Sequence, residues 1–451
     1  MRVSCFSVKR AMSPILLLLF FYPCINSHIL ESEDVQESSL GESKKSQEEF
    51  HLVRLLAGDE ERASPPCCRA PNVLSCRLAS INASLLAHRA TIFLPGTNGL
   101  LTFANMVPPA GYHYRGLRGE EAILSISPTT GFLFGTLKTE DRAFTLEHCV
   151  TGYHWLEYNV EDFVEEEEGY EDDAKDDEHS HAGDVTGDNG GMVEFSVMIY
   201  YTPEFAAITS DIPGFVDQVL AETNQGYANS NIPMTIKLHC IEQASISDTA
   251  SSSALMLSFM AMKKMSAAAL RHSADAAVLF VASMGNYCGR AHSINSIGSG
   301  HTISVCAKSC ALGYFTFGHE IAHNIGAYHN RETGHINPYY PHGQGHLIEK
   351  GSATSGARSI LAYYAVGHST RVNYYSNPDV ILNTTGTATG TSDSNNAAVL
   401  FGKRHDLSRL GDESVCCGCP YDVPLGSRMI EFVVAKINKI KGFVLSFFPF
   451  G

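Results

Sequence analysis

The chain has 451 residues, enough for two or three domains with ample core, and a formal charge of −16. That acidity is local: between Glu161 and Gly191 fourteen acidic residues face one lysine, which accounts for −13 of the total. The remainder is near neutral, so the charge balance points to no nucleic-acid partner and says little about a substrate.

In chain order, residues 1–27 read as a signal peptide. Lys9 and Arg10 precede an apolar run, Pro14 to Tyr22, and the stretch closes on Cys24-Ile-Asn-Ser27. The run is short for a membrane span, and no later segment is apolar over a spanning length, so a secreted, extracellular protein with no transmembrane segment is expected. Without Cys5 and Cys24, eleven cysteines remain, most of them expected to pair in an oxidising compartment. Asn82-Ala-Ser and Asn383-Thr-Thr are glycosylation sequons.

Residues 28–66 are polar. From 76 to 160 short apolar segments (ATIFLP, LLTFANM, EAILSIS, GFLFGTL, HWLEYNV) alternate with Pro/Gly turns, which predicts a β-rich region without a motif of its own. The run 161–191 repels itself and buries nothing, so it is read as a disordered linker. Beyond it, VEFSVMIYYT (193–202) and MTIKLHCIE (234–242) predict strands, and Pro213–Ser230 and Ala254–Leu270 predict helices. AAVLFVAS (276–283) predicts a buried strand and HTISVCA (301–307) an edge strand. The tail, 421–451, mixes apolar residues with lysines. It is expected to pack as a terminal helix, with contact to a membrane surface as the alternative.

His319-Glu-Ile-Ala-His323-Asn-Ile-Gly326-Ala-Tyr-His329 carries the chemistry. Two histidines four apart share one face of a helix, and a glycine three residues on lets the chain turn back. His329 then supplies a third imidazole. Three neutral imidazoles with an open fourth position suit one catalytic Zn2+, with Glu320 beside it as general base. His301, His335, His342, His346 and His368 have no ligand spacing.

HExxHxxGxxH is the metzincin signature, and the chain resembles that group of zinc endopeptidases. From about Val193 to Leu410 it resembles a reprolysin-like (adamalysin) catalytic domain, and the passage after the site is similar to bacterial peptidyl-Asp metallopeptidases. GYFTFGHEIAHNIGAYHN (313–330) fits both, RVNYYSNPDV (371–380) resembles a wall of the primed-side specificity pocket, and SDSNNAAVL (392–400) resembles the opening of the terminal helix. The resemblance implies an α/β (α+β) metzincin fold: a twisted mixed sheet with the active-site helix and a smaller irregular C-terminal subdomain, spanning 192–420 and preceded by a β-rich prodomain. It also implies protein or peptide substrates.

Ser359-Ile-Leu-Ala-Tyr363 aligns with the family's T-I-M-A-Y turn, so Leu361 stands where methionine is usual, a swap of similar volume. Asn330 stands where adamalysins usually carry aspartate. Tyr363 has two readings: oxyanion assistance, as in astacin- and serralysin-like relatives, or packing, which is favoured. Cys306, Cys310, Cys416, Cys417 and Cys419 are read as disulfide cysteines, and the family's habit pairs Cys288 with one of the last three. Residues 28–160 are read as a propeptide. Reprolysin-like zymogens often use a propeptide thiolate as a fourth zinc ligand. Cys149 is the first candidate and Cys67 or Cys68 the next, ordinary disulfides being favoured, while Asp184 is an astacin-like alternative. The competing functional reading is a catalytically weak metzincin-fold protein acting as a binding or toxin-like factor.

Overall fold

The computed structural model describes residues 51–159 and 190–411, apart from 57–67, 69–72, 88–90, 98, 108–110, 118, 128–129, 140–141, 150, 250, 271–273, 300–301 and 354. The segment read as a signal peptide, residues 161–189, the tail 421–451 and Cys67, Asp184, Cys416, Cys417 and Cys419 lie outside the described residues.

The first sheet is wholly antiparallel. It comprises β1 Val53–Leu55, β2 Val73–Ile81, β3 Thr102–Val107, β4 Gly111–Arg115, β5 Glu121–Ile126, β6 Leu133–Lys138, β7 Arg142–Cys149 and β8 Gly152–Asn159, ordered β1-β2-β8-β7-β6-β5-β4-β3. Leu146 faces Trp155 across the β7–β8 ladder, and Leu52, Leu94, Leu101, Leu124 and Leu137 join them in one core. The sheet starts earlier than residue 76. A three-residue strand such as β1 is too short to show a period in a polar stretch.

The second sheet is mixed: β9 Val193–Tyr201, β10 Met234–Gln243, β11 Ala276–Val281, β12 Gly289–Ala291 and β13 Ile303–Ala307, ordered β10-β9-β11-β13-β12. All pairs are parallel except β12–β13. Alternation sends Val197 and Ile199 to one face and Met198 and Tyr200 to the other, and both faces are buried. Helix α1, Ile212–Asn229, covers the first face, and α2, Ser252–Leu270, lays Leu255, Met256 and Phe259 on the second. The predicted strands and helices therefore form, with one correction. Strand β13 is not an edge strand: all five of its residues are buried between β11 and the three-residue β12.

Helix α3, Thr316–Ile325, follows β13, and α4, Asn396–Leu407, closes the described chain. Between them lies a small subdomain with β14 Leu347–Ile348, β15 Ala357–Arg358 and β16 Thr370–Arg371 in one sheet and β17 Ile381–Leu382 with β18 Thr387–Ala388 in another. No helix among the described residues is long and apolar enough to cross a membrane.

Helix α1 is sandwiched between the two sheets. From Gly214 to Tyr227 every residue except Asp217 is buried, which a helix with one solvent face would not allow. Its side towards the first sheet is polar but paired. Gln218 accepts from the Ser125 hydroxyl at 2.7 Å and donates to Ile123 O at 2.7 Å. Nearby, Lys308 donates to both carboxylate oxygens of Glu147 at 2.8 and 2.9 Å, with side-chain exposures of 0% and 4%.

The cysteine pattern departs from expectation. Cys288 bonds Cys310, with Cα atoms 5.3 Å apart, and not the C-terminal cysteines. Antiparallel pairing of β12 with β13 brings Cys288 beside the end of β13, where Ala307 N–H donates to Cys288 O at 2.8 Å, three residues before Cys310. Cys306 is a buried free thiol and not a staple. Cys68 bonds Cys76, and Cys149 and Cys240 are also disulfide-bonded. A bridged Cys149 has no thiolate to offer a metal, and the same holds for Cys68.

The buried ion pair gives a test of how the sheets are joined. Glu147→Gln, which strands the Lys308 ammonium, should destabilise the protein by about 3–5 kcal/mol. Glu147→Met with Lys308→Met should recover most of that in a chemical denaturation series.

Candidate metal centre

Helix α3 presents His319 and His323 one turn apart, and it ends at Gly326, whose φ of 124° no side-chain-bearing residue adopts without strain. The Gly326 N–H caps the helix on Ala322 O and His323 O at 3.1 and 2.9 Å. A Cβ there would also stand 2.8 Å from the Tyr340 ring. This exit turns the chain so that His329 faces its two predecessors.

The three Nε2 atoms converge. His323 Nε2 lies 3.0 Å from that of His319 and 2.8 Å from that of His329, and the third separation is 3.3 Å. Zinc bound tetrahedrally at about 2.0–2.1 Å separates its nitrogen ligands by about 3.3 Å, so the donor set fits such an ion. It is the one His/Cys/Asp/Glu group among the described residues with ligand atoms gathered this closely. The far nitrogens set the tautomers. His319 Nδ1 donates to Ile360 O at 2.8 Å and His323 Nδ1 to Ala327 O at 2.9 Å, leaving Nε2 lone pairs towards the centre. His329 is held differently, its ring against Tyr363 at 4.0 Å between centroids.

Burial keeps these imidazoles neutral. It pushes His319 down to about 4, with the positive charge of Arg358 adding to the effect. It holds His323 and His329 well below the usual histidine range, each disfavoured further by its neighbours. Glu320 is buried beside them. Its space comes from Gly289 on β12, where a Cβ would lie 2.5 Å from Glu320 Oε1. Nothing local in the sequence marks that glycine.

The model of the family Reprolysin_5, metallo-peptidase family M12, matches residues 193–376. Residues 193–376 are thus similar to an M12 metallopeptidase domain of the metzincin-like zinc type. A peptidyl-Asp metalloendopeptidase of Stenotrophomonas maltophilia is 31% identical over 46% of this chain and 50% of its own length. One from Xanthomonas campestris is 28% identical over 62% of this chain and 69% of its own. One from Pseudomonas fragi is 28% identical over 35% and 84%. The chain thus spans about half the length of the first of these curated relatives.

Within the matched stretch the loop Ser359–Tyr363 floors the centre. Leu361 is fully buried in one cluster with Phe317, Ile321, Ala322 and Ile325 of α3. Asn330 ties the loop down: its Oδ1 accepts from Tyr363 N–H at 2.9 Å while its Nδ2 donates to Glu332 at 2.9 Å. An amide satisfies both partners here, which explains why asparagine serves in place of aspartate. The ring of Tyr363 packs on His329 and is half-buried. His335 and His342 are exposed, His346 and His368 are half-buried, and none joins the three ligands; His301 lies outside the described residues. Asn82 and Asn383 are exposed, as glycosylation requires.

The approach to α3 depends on Glu222 of α1, whose two oxygens both accept from Gly313 N–H at 3.0 Å. Burial pushes its pKa from 4.5 up to about 8, against the opposing hydrogen bonds. The folded protein therefore holds a proton that the unfolded chain releases above its ordinary value. The stability this gives is fully present at acid pH and is lost as pH rises through about 8. Glu222→Gln should flatten the fall in unfolding midpoint between about pH 5 and pH 8.

Proposed function

We propose that the protein is a secreted zinc metalloendopeptidase made as a zymogen, with the signal peptide at 1–27, the propeptide at 28–160, the acidic linker at 161–191 and the protease at 192–420. The convergence of three buried Nε2 lone pairs beside a buried glutamate, inside a segment matched by a peptidase family, carries the reading.

His319, His323 and His329 would hold a zinc ion, which when bound would supply the Lewis acidity to lower the pKa of a water towards about 7 and to polarise a peptide carbonyl. Glu320 accepts a proton from the attacking water on its carboxylate and returns it to the nitrogen of the departing amine. Its burial strengthens both transfers by excluding competing solvent. The carbonyls of Ile360 and Ala327 hold two imidazoles in the ligand tautomer. Leu361 acts as the apolar floor, and Tyr363 acts by packing on His329. The disulfides and the exposed sequons support export.

Glu320→Ala should keep bound zinc, read by atomic absorption, and lose about 10²–10⁴-fold in cleavage of a protein substrate. His323→Ala should lose the metal itself. A Glu320→Ala protein cleaving at the native rate would exclude this mechanism.

The zymogen reading has its own measurement. Composition makes the acidic run the most accessible stretch for a processing protease. The N-terminus of the active species should therefore fall between about Glu161 and Glu194. An active form still joined covalently to residues 51–159 would overturn the propeptide assignment.

A further inference from the structure

Thr316 opens α3 one turn before Glu320, so the two side chains stack on one face of the helix. The chain enters the helix through Phe315, whose φ of 64° is a left-handed conformation that a bulky residue adopts at a cost, and whose ring is anchored in the main core. Thr316 is 2% exposed, and among the described residues its hydroxyl has no hydrogen-bond partner. Burying a hydroxyl in that way is unfavourable, and valine would fill the same shape without the cost.

The surroundings show where the hydroxyl can go. A Cβ on Gly289 would lie 2.5 Å from Glu320 Oε1 and 2.6 Å from Thr316 Cγ2, so the carboxylate and the threonine border one space beside β12. The methyl group of Thr316 is the part that borders it. A rotation of about 120° about χ1 carries the hydroxyl to the place of the methyl in another staggered well, and at the first residue of α3 no preceding turn of that helix obstructs it. Cys306 stands across the β12–β13 ladder from Gly289 and shares one apolar cluster with Phe317 and Ile321. Burial and the charge of Glu320 push its thiol up, so it adds no second negative charge there.

We propose that Thr316 is a positioning residue for peptide hydrolysis: turned towards Gly289, its hydroxyl donates to Oε1 of Glu320 and fixes the carboxylate in the orientation that takes the proton of the attacking water. The assignment rests on the protease reading with Glu320 as the base. A hydrogen bond to one carboxylate oxygen sets the plane of the group and therefore the direction of the other oxygen. Misplacing a reacting group by about 1 Å can cost about a hundredfold in rate, so such a bond acts on turnover more than on binding.

The test uses the full-length protein after limited proteolysis of its acidic run, with fluorescently labelled casein as substrate. Thr316→Val, which keeps the shape and removes the donor, should lower kcat about tenfold with KM and bound zinc unchanged, the size expected of a hydrogen bond to a charged group. Thr316→Ser should restore most of that loss. Gly289→Ala, whose methyl enters the shared space, should lower kcat as well. In the full-length protein stripped of metal, Thr316→Val should lower the unfolding midpoint, because Glu320 loses a donor, and should not lower it once Glu320→Ala has removed the acceptor. A native kcat in Thr316→Val or in Gly289→Ala overturns the assignment. So does a Thr316→Ser protein as slow as Thr316→Val, or an equal change of midpoint in both backgrounds. Cleavage at the native rate by Glu320→Ala overturns the protease mechanism and the positioning with it, whereas an inactive Glu320→Ala beside a native Thr316→Val overturns the positioning alone.

Discussion

Three imidazole lone pairs aimed at one point repel one another, and much of the stretch 193–376 serves to hold them there. Their Nε2 atoms sit 2.8–3.3 Å apart, a spacing that a shared cation favours and an empty centre does not. Each ring is therefore clamped from behind. Ile360 O and Ala327 O take two Nδ1 protons, and Tyr363 covers the third ring. Those clamps belong to loops, which must be fixed in turn. Asn330 holds the backbone of Tyr363, and the buried Arg358 and Arg371 hold Ala362 O. The rigidity of the centre is thus carried by polar bonds made outside it, as metal sites require.

The second constraint is the burial of α1 on both sides. One side seals the mixed sheet through Phe215, Val219 and Tyr227, and the other meets β5 and β6. Two polar side chains on that second side are matched across it: Gln218 by Ser125 and the Ile123 carbonyl, and Glu222 by the Gly313 amide. Beside the helix, Glu147 is matched by Lys308. Separating the first sheet would break the Gln218 and Lys308 pairs at once and expose Phe134 from the shared core. Opening an interface of this kind leaves buried polar and charged groups without their partners, which is costly.

Much of this was legible in the residues. Strands β9, β10 and β11 and helix α1 carry strong local periods, and the structure places them within one or two residues of the reading. The histidine motif is legible because helix geometry alone carries two imidazoles to one face, and a glycine permits the return of the third. The misreadings share a cause. Strand β13 looked like an edge because its cover, β12, is three residues long and leaves no pattern. Cys288 pairs with Cys310 because of that same antiparallel pairing, which local sequence does not encode. Cys149, a candidate thiolate, is already in a disulfide.

The sequence by itself determined the three-histidine group, the neighbouring glutamate and the alternation of strands and helices, since each follows from spacing along one helix or one strand. Only the tertiary structure decided which carbonyls fix the imidazole tautomers, why Gly289 must lack a side chain, and that Arg358 and Arg371 lie together behind the centre. Apart from the His323–Ala327 bond, these are contacts between residues 13 to 41 positions apart in the chain. The free energy of such contacts depends on burial and on neighbours that only the folded chain brings together.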